Sequence, residues 1–369
     1  MIHVVQVLTD TNIGGAGKYL LNYLKNFDRS SFRVTVVLPE NSKLAEPVRT
    51  CEGVTLVEVP YMADQSYNKQ CVAVLKKLFT EMKPDLLHTH ACLSARIAGR
   101  QAKVPVILAT RHCIEPLSRG IKGMVKGLAN TFLCDYYIAV SQAVVKNLMD
   151  SGIKPEKIKL VNNGVEPVRT ITEEECNLLR QTYGIQKENK VFSVFARLEP
   201  VKGHKYFIKA ARQFLKEEQN AKFLIVGSGS LESALKEQVA RYGLEKNIIF
   251  TGFIPDTAPL LNITDANIIC SESEAMSLAI LESMSLGKPS IATEVGGNPE
   301  LIEHEINGLL TGYADSASLA SAMLRLTRQP DFSKKLGQNA KKQYECNFTV
   351  QTMVSRLEEL YKEVLRNDH

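Results

Sequence analysis

The chain has 369 residues, of which 44% are hydrophobic and 23% charged, and its formal net charge is +5. That length gives room for two domains of ordinary size, and the balance of apolar to charged residues excludes a disordered chain. The positive charge is mild and spread out, which suits an anionic ligand or an acidic membrane surface and excludes nucleic acid as the expected partner.

Residues 1–8 are apolar but short, with no basic start and no cleavage site, so they read as a first buried strand over 3–8 rather than a signal peptide. Further β-branched runs predict strands at 33–38, 54–59, 85–89, 106–110 and 136–140, with helical patterns at 16–27 and 71–82 among the segments between them. Near-continuous apolar strands joined by helices predict a parallel sheet covered on both faces. The pattern breaks at Asn162-Asn163-Gly164, a turn signal, and the polar stretch that follows, with Glu173-Glu174-Glu175, reads as a linker over 166–186. A second series of strands is predicted at 191–196, 222–226, 248–250, 266–271 and 289–293. The tail, 348–365, has apolar residues at helical spacing and reads as a terminal helix with one face to bury. The expected domains are therefore 1–165, 187–345 and a C-terminal helix over 346–369 that packs back on the first domain.

No run approaches the roughly 18 uninterrupted apolar residues of a spanning helix. The eight cysteines (Cys51, Cys71, Cys92, Cys113, Cys134, Cys176, Cys270 and Cys346) include no C-x-x-C pair and no zinc spacing. Scattered through apolar runs, they read as reduced, mostly buried thiols of a cytosolic protein.

In open parallel sheets ligands bind at the carboxyl ends of the strands, so the loops there are where chemistry is sought. The first is Thr11-Asn12-Ile13-Gly14-Gly15-Ala16-Gly17-Lys18, whose glycines let backbone approach a ligand and whose helix start directs N–H groups at an anion. It has the wrong spacing for a P-loop, and a plain strand-to-helix turn is its alternative. The loop Ala196-Arg197-Leu198-Glu199-Pro200-Val201-Lys202-Gly203 carries two cations, a planar fork and a point charge, suited to a phosphate; two solvated surface cations are the alternative. Gly227-Ser228-Gly229 is half of a dinucleotide fingerprint, with Leu231 and Glu232 where a third glycine belongs, which counts against a nicotinamide dehydrogenase. The sharpest pattern is Glu274 and Glu282 eight positions apart, the first in a loop and the second in the helix after it. Carboxylates accept hydrogen bonds from vicinal hydroxyls, and the helix-start amides near Met276, Ser277 and Leu278 can bind further oxygens.

Taken together, the Gly14-Gly15 loop, Asn163-Gly164-Val165, Arg197…Lys202-Gly203, Glu274-x7-Glu282 and Val295-Gly296-Gly297-Asn298-Pro299-Glu300 resemble, in that order and over the whole chain, the retaining glycosyltransferases of family 4 with the GT-B fold. The resemblance implies an α/β architecture of two facing Rossmann-like domains with an inter-domain cleft and a C-terminal helix. It implies that Arg197 and Lys202 hold the donor diphosphate, that Glu282 binds the ribose, and that Glu274 binds the transferred sugar with the amides of Met276, Ser277 and Leu278. It places the base near Phe253 and Ile254, Gly14, Gly15 and Gly229 beside the donor, and His112 as the active-site histidine near the sugar.

Some positions depart from the family pattern. Glu166 stands where Asp commonly follows Asn-Gly-Val, Met276 replaces an aromatic or Gly, Gly17 stands where many members differ, and the first loop lacks its Glu; the last puts the acceptor in doubt more than the chemistry. No D-x-D occurs, in keeping with a metal-free site, and no cofactor is expected beyond the nucleotide-sugar substrate. The expected function is retaining transfer of a hexosyl group from a nucleoside-diphosphate-sugar to a glycan, glycolipid or lipid-linked acceptor in cell-surface polysaccharide or glycoconjugate synthesis. The expected place is the cytoplasm or the inner face of the membrane. Residues 117–128, which mix Lys122 and Lys126 with apolar residues, suit an anionic membrane surface as well as a solvated amphipathic helix. A sugar-nucleotide epimerase and a nucleotide-sugar binder without transferase activity are the competing readings.

Overall fold

The computed structural model describes residues 1–117 and 131–367. The chain forms two compact units: Met1–Val165 with Thr349–His369, and Glu166–Phe348. Residues 118–130 lie outside the described residues, and with them most of the segment whose basic and apolar residues suit a membrane surface.

In unit 1 the described elements are β1 (Ile2–Leu8), α1 (Gly15–Asn26), β2 (Phe32–Pro39), α2 (Ala45–Arg49), β3 (Val54–Val59), α3 (Lys69–Met82), β4 (Leu86–His90), α4 (Leu93–Gln101), β5 (Val106–Arg111), β6 (Tyr136–Ala139), α5 (Gln142–Asp150) and β7 (Ile158–Leu160). The strands form one sheet in the order β3-β2-β1-β4-β5-β6-β7, every pair parallel. The order reverses between β1 and β4, the position at which open α/β sheets bind ligands.

Unit 2 contains α6 (Glu173–Thr182), β8 (Lys190–Phe195), α7 (His204–Phe214), β9 (Ala221–Val226), α8 (Glu232–Tyr242), β10 (Ile248–Gly252), α9 (Ala258–Ile263), β11 (Ala266–Ile269), α10 (Leu278–Ser285), β12 (Ser290–Thr293), α11 (Asn298–Leu301), β13 (Leu309–Thr311), α12 (Ser316–Arg328) and α13 (Pro330–Asn347). Its sheet runs β10-β9-β8-β11-β12-β13, also parallel, with the switch point between β8 and β11. A last helix, α14 (Val350–Asn367), belongs to unit 1. No helix among the described residues is long and apolar enough to cross a membrane.

The central strands are largely apolar because both of their faces are covered. The core of unit 1 joins Val4, Leu8, Leu86, Val106 and Leu108 of the sheet to Leu20 and Leu24 of α1 and to Val350, Met353, Leu357, Leu360, Tyr361 and Val364 of α14. Burial of those α14 side chains contributes roughly 10–15 kcal/mol as an upper bound, so tertiary packing rather than helix propensity holds α14. Unit 2 has its main core around Phe192, Phe207, Phe214 and Phe223 and a satellite around Leu224, Leu260 and Ile263.

Two local readings need correction. The polar stretch 166–186 contains α6, opened by a capping box in which Thr172 and Glu175 bond each other's backbone N–H, and Cys176, Leu179 and Tyr183 pack on the satellite core of unit 2. The triple Glu is the acidic first turn of a helix, not linker composition. Asn162-Asn163-Gly164 forms no turn; a Cβ at Gly164 would overlap the Thr349 carbonyl, because the returning chain bridges Val165 to Thr349 there. Strands β7 and β13, three residues each, are too short to show a period of two. All eight cysteines are free, with Cys51, Cys71, Cys92, Cys134 and Cys270 buried and Cys113 and Cys346 exposed.

Candidate functional site

In unit 2 the loops at the carboxyl edge are knitted together by backbone. Leu198 N–H donates to Ser228 O (2.9 Å), Gly227 N–H to Gly252 O (2.9 Å), Glu272 N–H to Val201 O (2.7 Å) and Gly297 N–H to Glu274 O (3.0 Å). The loops after β8, β9, β10, β11 and β12 thus form one connected surface. Glycines permit this closeness. A Cβ at Gly227 (φ +146°) would overlap Ala196 O, one at Gly203 (φ +67°) would overlap Cys270 O, and one at Gly229 would sit 2.6 Å from Leu198 O. The G-x-G of the third loop is therefore accounted for by loop-to-loop contact.

At the switch point the loops after β8 and β11 bring Lys202 and Glu274 into direct contact. Lys202 Nζ donates to Glu274 Oε1 at 2.6 Å, and Ser271 Oγ donates to the same oxygen at 2.6 Å. The side chains are 22% and 13% exposed. Among the described residues no group bonds Oε2, which remains open as an acceptor for hydroxyls. Arg197, two residues past β8, is exposed, and its guanidinium has no hydrogen bond or ion pair among the described residues. The β8 loop thus carries one unpaired cation, Arg197, and one paired, Lys202, and a phosphate is the ligand chemistry that suits a free planar fork. Glu199, between them, accepts from Ser230 N–H (3.2 Å) and Oγ–H (2.8 Å), bonds that hold its carboxyl below the usual range and tie the β8 loop to the β9 loop.

His204 lies beneath Lys202, only 1% exposed, and neither ring nitrogen has a partner among the described residues. Burial, and secondarily the charge of Lys202, lowers its pKa to about 4, so it is neutral. Phe253 follows β10 and is 61% exposed, while Ile254 packs on the satellite core. Met276 and Ser277 are buried, and Ser277 is the N-cap of α10, so the backbone rather than the Met276 side chain is what this loop offers. Leu278 opens α10, and Glu282 lies one turn farther along it.

In unit 1 the first loop is pinned rather than loose. Asp64 accepts from both the N–H and the hydroxyl of Thr11, and Ser42 Oγ donates to Asp10 O at 2.8 Å. Gly14 is the N-cap of α1, with no side-chain cap, and a Cβ at Gly15 would meet open space. The amides of this first turn are therefore approachable. Gly17, a departure from the family pattern, has a packing reason, since a Cβ there would lie 3.0 Å from Leu44.

His112 follows β5 and is partly exposed. Behind it lies a group of residues that motif reading passed over. His90 Nδ1 is 2.8 Å from His112 Nε2, and His90 Nε2 is 3.0 Å from Gln6 Oε1. Gln6 Nε2 donates to Tyr361 Oη at 2.8 Å, and His88 bridges Tyr361 Oη and Thr110 Oγ1 at 2.6 Å each. Tyr19 packs edge-on against His90 and His112. Burial lowers the pKa of His88 to about 3, that of His112 to about 4, and that of His90 well below its ordinary value, so all three imidazoles are neutral. The signal was present in His88-Thr89-His90: two imidazoles at a spacing of two share one face of a fully buried strand.

Comparison with known proteins agrees with this architecture. Residues 13–169 match the model of "Glycosyltransferase Family 4", and residues 177–343 match "Glycosyl transferases group 1". The alpha-monoglucosyldiacylglycerol synthase of Streptococcus pneumoniae is 30% identical over 307 residues, 76% of this chain and 68% of that protein. The UDP-Gal:alpha-D-GlcNAc-diphosphoundecaprenol alpha-1,3-galactosyltransferase of Escherichia coli is 28% identical over 309 residues, 79% of each chain. The crystal structure of Anabaena HepE in complex with UDP and glucose has a TM-score of 0.87 at 24% identity and covers 98% of this chain and 100% of that one. With two successive family models accounting for most of its length and the same fold beneath them, the chain belongs to glycosyltransferase family 4 and has the GT-B fold.

Proposed function

We propose that this glycosyltransferase moves a hexosyl group from a nucleoside-diphosphate-sugar to a lipid-linked or glycolipid acceptor, with retention of the anomeric configuration and without a metal ion. The observation that carries the donor side is the switch point of unit 2, where Lys202 bonds Glu274 and the same β8 loop carries the exposed Arg197. Arg197 and Lys202 hold the diphosphate, Glu274 Oε2 accepts from hydroxyls of the sugar, and Glu282 accepts from those of the ribose. Phe253 stacks on the base, with Ile254 beneath it, and Gly229, whose missing Cβ admits the Leu198 backbone, stands beside the donor. The amides of Met276, Ser277 and Leu278 and those following Gly14 and Gly15 donate to donor oxygens. His112 is a neutral hydrogen-bonding ligand. Uracil is the base to test first, because UDP is bound in HepE and named in the galactosyltransferase of E. coli. The acceptor class follows the lipid-bearing names of the two relatives, and such an acceptor calls for peripheral contact with an anionic membrane.

In the reaction the bond from the anomeric carbon to the leaving phosphate oxygen breaks and the nucleoside diphosphate departs with the electron pair. The acceptor oxygen attacks from that same face, and its proton passes to a phosphate oxygen. Charge accumulates on the leaving group, where preorganised cations and helix amides stabilise it without reorganisation. Glu274 acts as a positioning group rather than a nucleophile, a reading supported by the engagement of its Oε1 with Lys202 and Ser271.

The test is release of UDP from UDP-glucose and UDP-galactose by wild type and Arg197→Ala. Wild type releases UDP slowly without acceptor and faster with a lipid acceptor. Arg197→Ala loses roughly 100- to 1,000-fold, the cost of removing one preorganised donor, with an unchanged melting temperature because Arg197 is exposed and unpaired. Near-normal turnover in that variant removes the assignment, and a wild type that binds UDP-sugars without releasing UDP favours a pure binder.

A further inference from the structure

A line of polar groups crosses the otherwise apolar core of unit 1, from Tyr361 of α14 through Gln6 of β1 and His90 of β4 to His112. Its hydrogen bonds have only one consistent direction once the Gln6 amide is oriented. Gln6 Nε2 donates to Tyr361 Oη, so its carbonyl oxygen Oε1 faces His90 Nε2. A carbonyl oxygen carries no proton, so His90 Nε2 must donate. A neutral imidazole has one N–H, which leaves His90 Nδ1 a lone pair, and that lone pair faces His112 Nε2 at 2.8 Å. His112 Nε2 must therefore carry the proton, and Nδ1 is left as a bare acceptor.

The branch through His88 agrees. Tyr361 Oη, receiving from Gln6, gives its own proton to His88 Nδ1, and His88 Nε2–H donates to Thr110 Oγ1. Each imidazole N–H between two members of the line and the Tyr361 hydroxyl proton is used once. No described residue bonds His112 Nδ1, and the residue is partly exposed. Burial keeps all three imidazoles neutral, the condition for this transmission of proton position.

We propose that Gln6 and His90 are positioning residues that hold His112 as its Nε2–H tautomer, so that Nδ1 is presented as a hydrogen-bond acceptor for a substrate hydroxyl. The inference rests on the proposed role of His112 as a substrate ligand. It differs from a generic buried network in its direction: with the Gln6 amide turned over, every tautomer reverses and His112 would present Nδ1–H, a donor.

The test is a long-range proton–nitrogen correlation spectrum of the full chain labelled with [15N]histidine at pH 7.5, with His90→Gln and His112→Asn used for assignment. The expected spectrum gives His112 a pyrrole-type Nε2 and a pyridine-type Nδ1, and the same for His90. Gln6→Glu, which keeps an acceptor oxygen before His90 Nε2, retains that pattern, and Gln6→Leu, which removes it, yields a tautomer mixture at His112. Turnover follows the tautomer: kcat falls at least 10-fold in Gln6→Leu and is largely recovered in Gln6→Glu. Wild-type His112 protonated at Nδ1, or averaging between tautomers, overturns the proposal whether or not any variant folds. Normal turnover in His112→Ala instead removes the substrate role of His112 and leaves the tautomer measurement intact, so the two failures are distinguishable.

Discussion

Replacing Lys202 by Met and Glu274 by Gln, singly and together, measures the contact on which the donor site of unit 2 is built. At 2.6 Å the gross attraction of the two charges is about 6 kcal/mol at an effective dielectric constant of about 20. Both side chains are largely withdrawn from water, and the lost hydration of two ions cancels much of that gain. The surplus is the value of a hydrogen bond between charged groups, about 1.5–3 kcal/mol. A double-mutant cycle should return a coupling of about 2 kcal/mol. At roughly 2–4 °C per kcal/mol for a domain of this size, each single variant should melt about 4–8 °C lower, and the double variant should fall by less than the sum. Lys202→Met should be the worse single change, because among the described residues it leaves Ser271 as the sole donor to Glu274 Oε1. The assay is thermal and urea unfolding followed by circular dichroism, since the chain contains no Trp to report by fluorescence. A coupling below about 0.5 kcal/mol would mean that the two groups do not support each other in the unliganded fold, and the reasoning from the ion pair would fail.

The backbone contacts make a second prediction. Gly203→Ala places a Cβ against Cys270 O at a positive φ and should cost more than about 2 kcal/mol in urea unfolding. Gly15→Ala meets open space and should change stability by less than about 0.5 kcal/mol, so any loss of turnover in it reports approach of a ligand. Acidification supplies a third. The folded pKa values of His88, His90 and His112 lie below the unfolded value of 6.5, so between the two the unfolded chain binds more protons, and stability falls as pH drops below about 6.5. At pH 5.5 each imidazole costs about 1.4 kcal/mol relative to pH 7.5, or about 4 kcal/mol for the three, and His204 adds a similar loss in unit 2. Equal urea midpoints at pH 5.5 and pH 7.5 would show that these histidines are accessible to protons in the folded state.

Local pattern carried much of this molecule. Alternation of apolar strands with amphipathic helices predicted parallel sheets, because a strand covered on both faces must be apolar throughout. The spacing of Val350, Met353, Leu357, Leu360, Tyr361 and Val364 predicted a helix with one face to bury. The loops after β1, β8 and β11 were legible because glycines, cations and carboxylates are conspicuous after an apolar run. What escaped were short or polar elements: β7 and β13, with three residues each, and α6, whose capping box resembles a linker when only its charges are counted.

Composition and spacing by themselves determined the two-unit α/β class and the positions at which chemistry is found. They did not determine who meets whom. Lys202 bonds Glu274 across 72 positions, and Gln6 bonds Tyr361 across 355. Contacts of such separation depend on strand order, and strand order is a property of the assembled sheet that no local window of residues contains. The roles of Gly164, Gly203 and Gly227 were likewise decided by a carbonyl distant in the chain rather than by their neighbours, which is why a glycine that reads as a turn can turn out to be a place where two stretches of backbone touch.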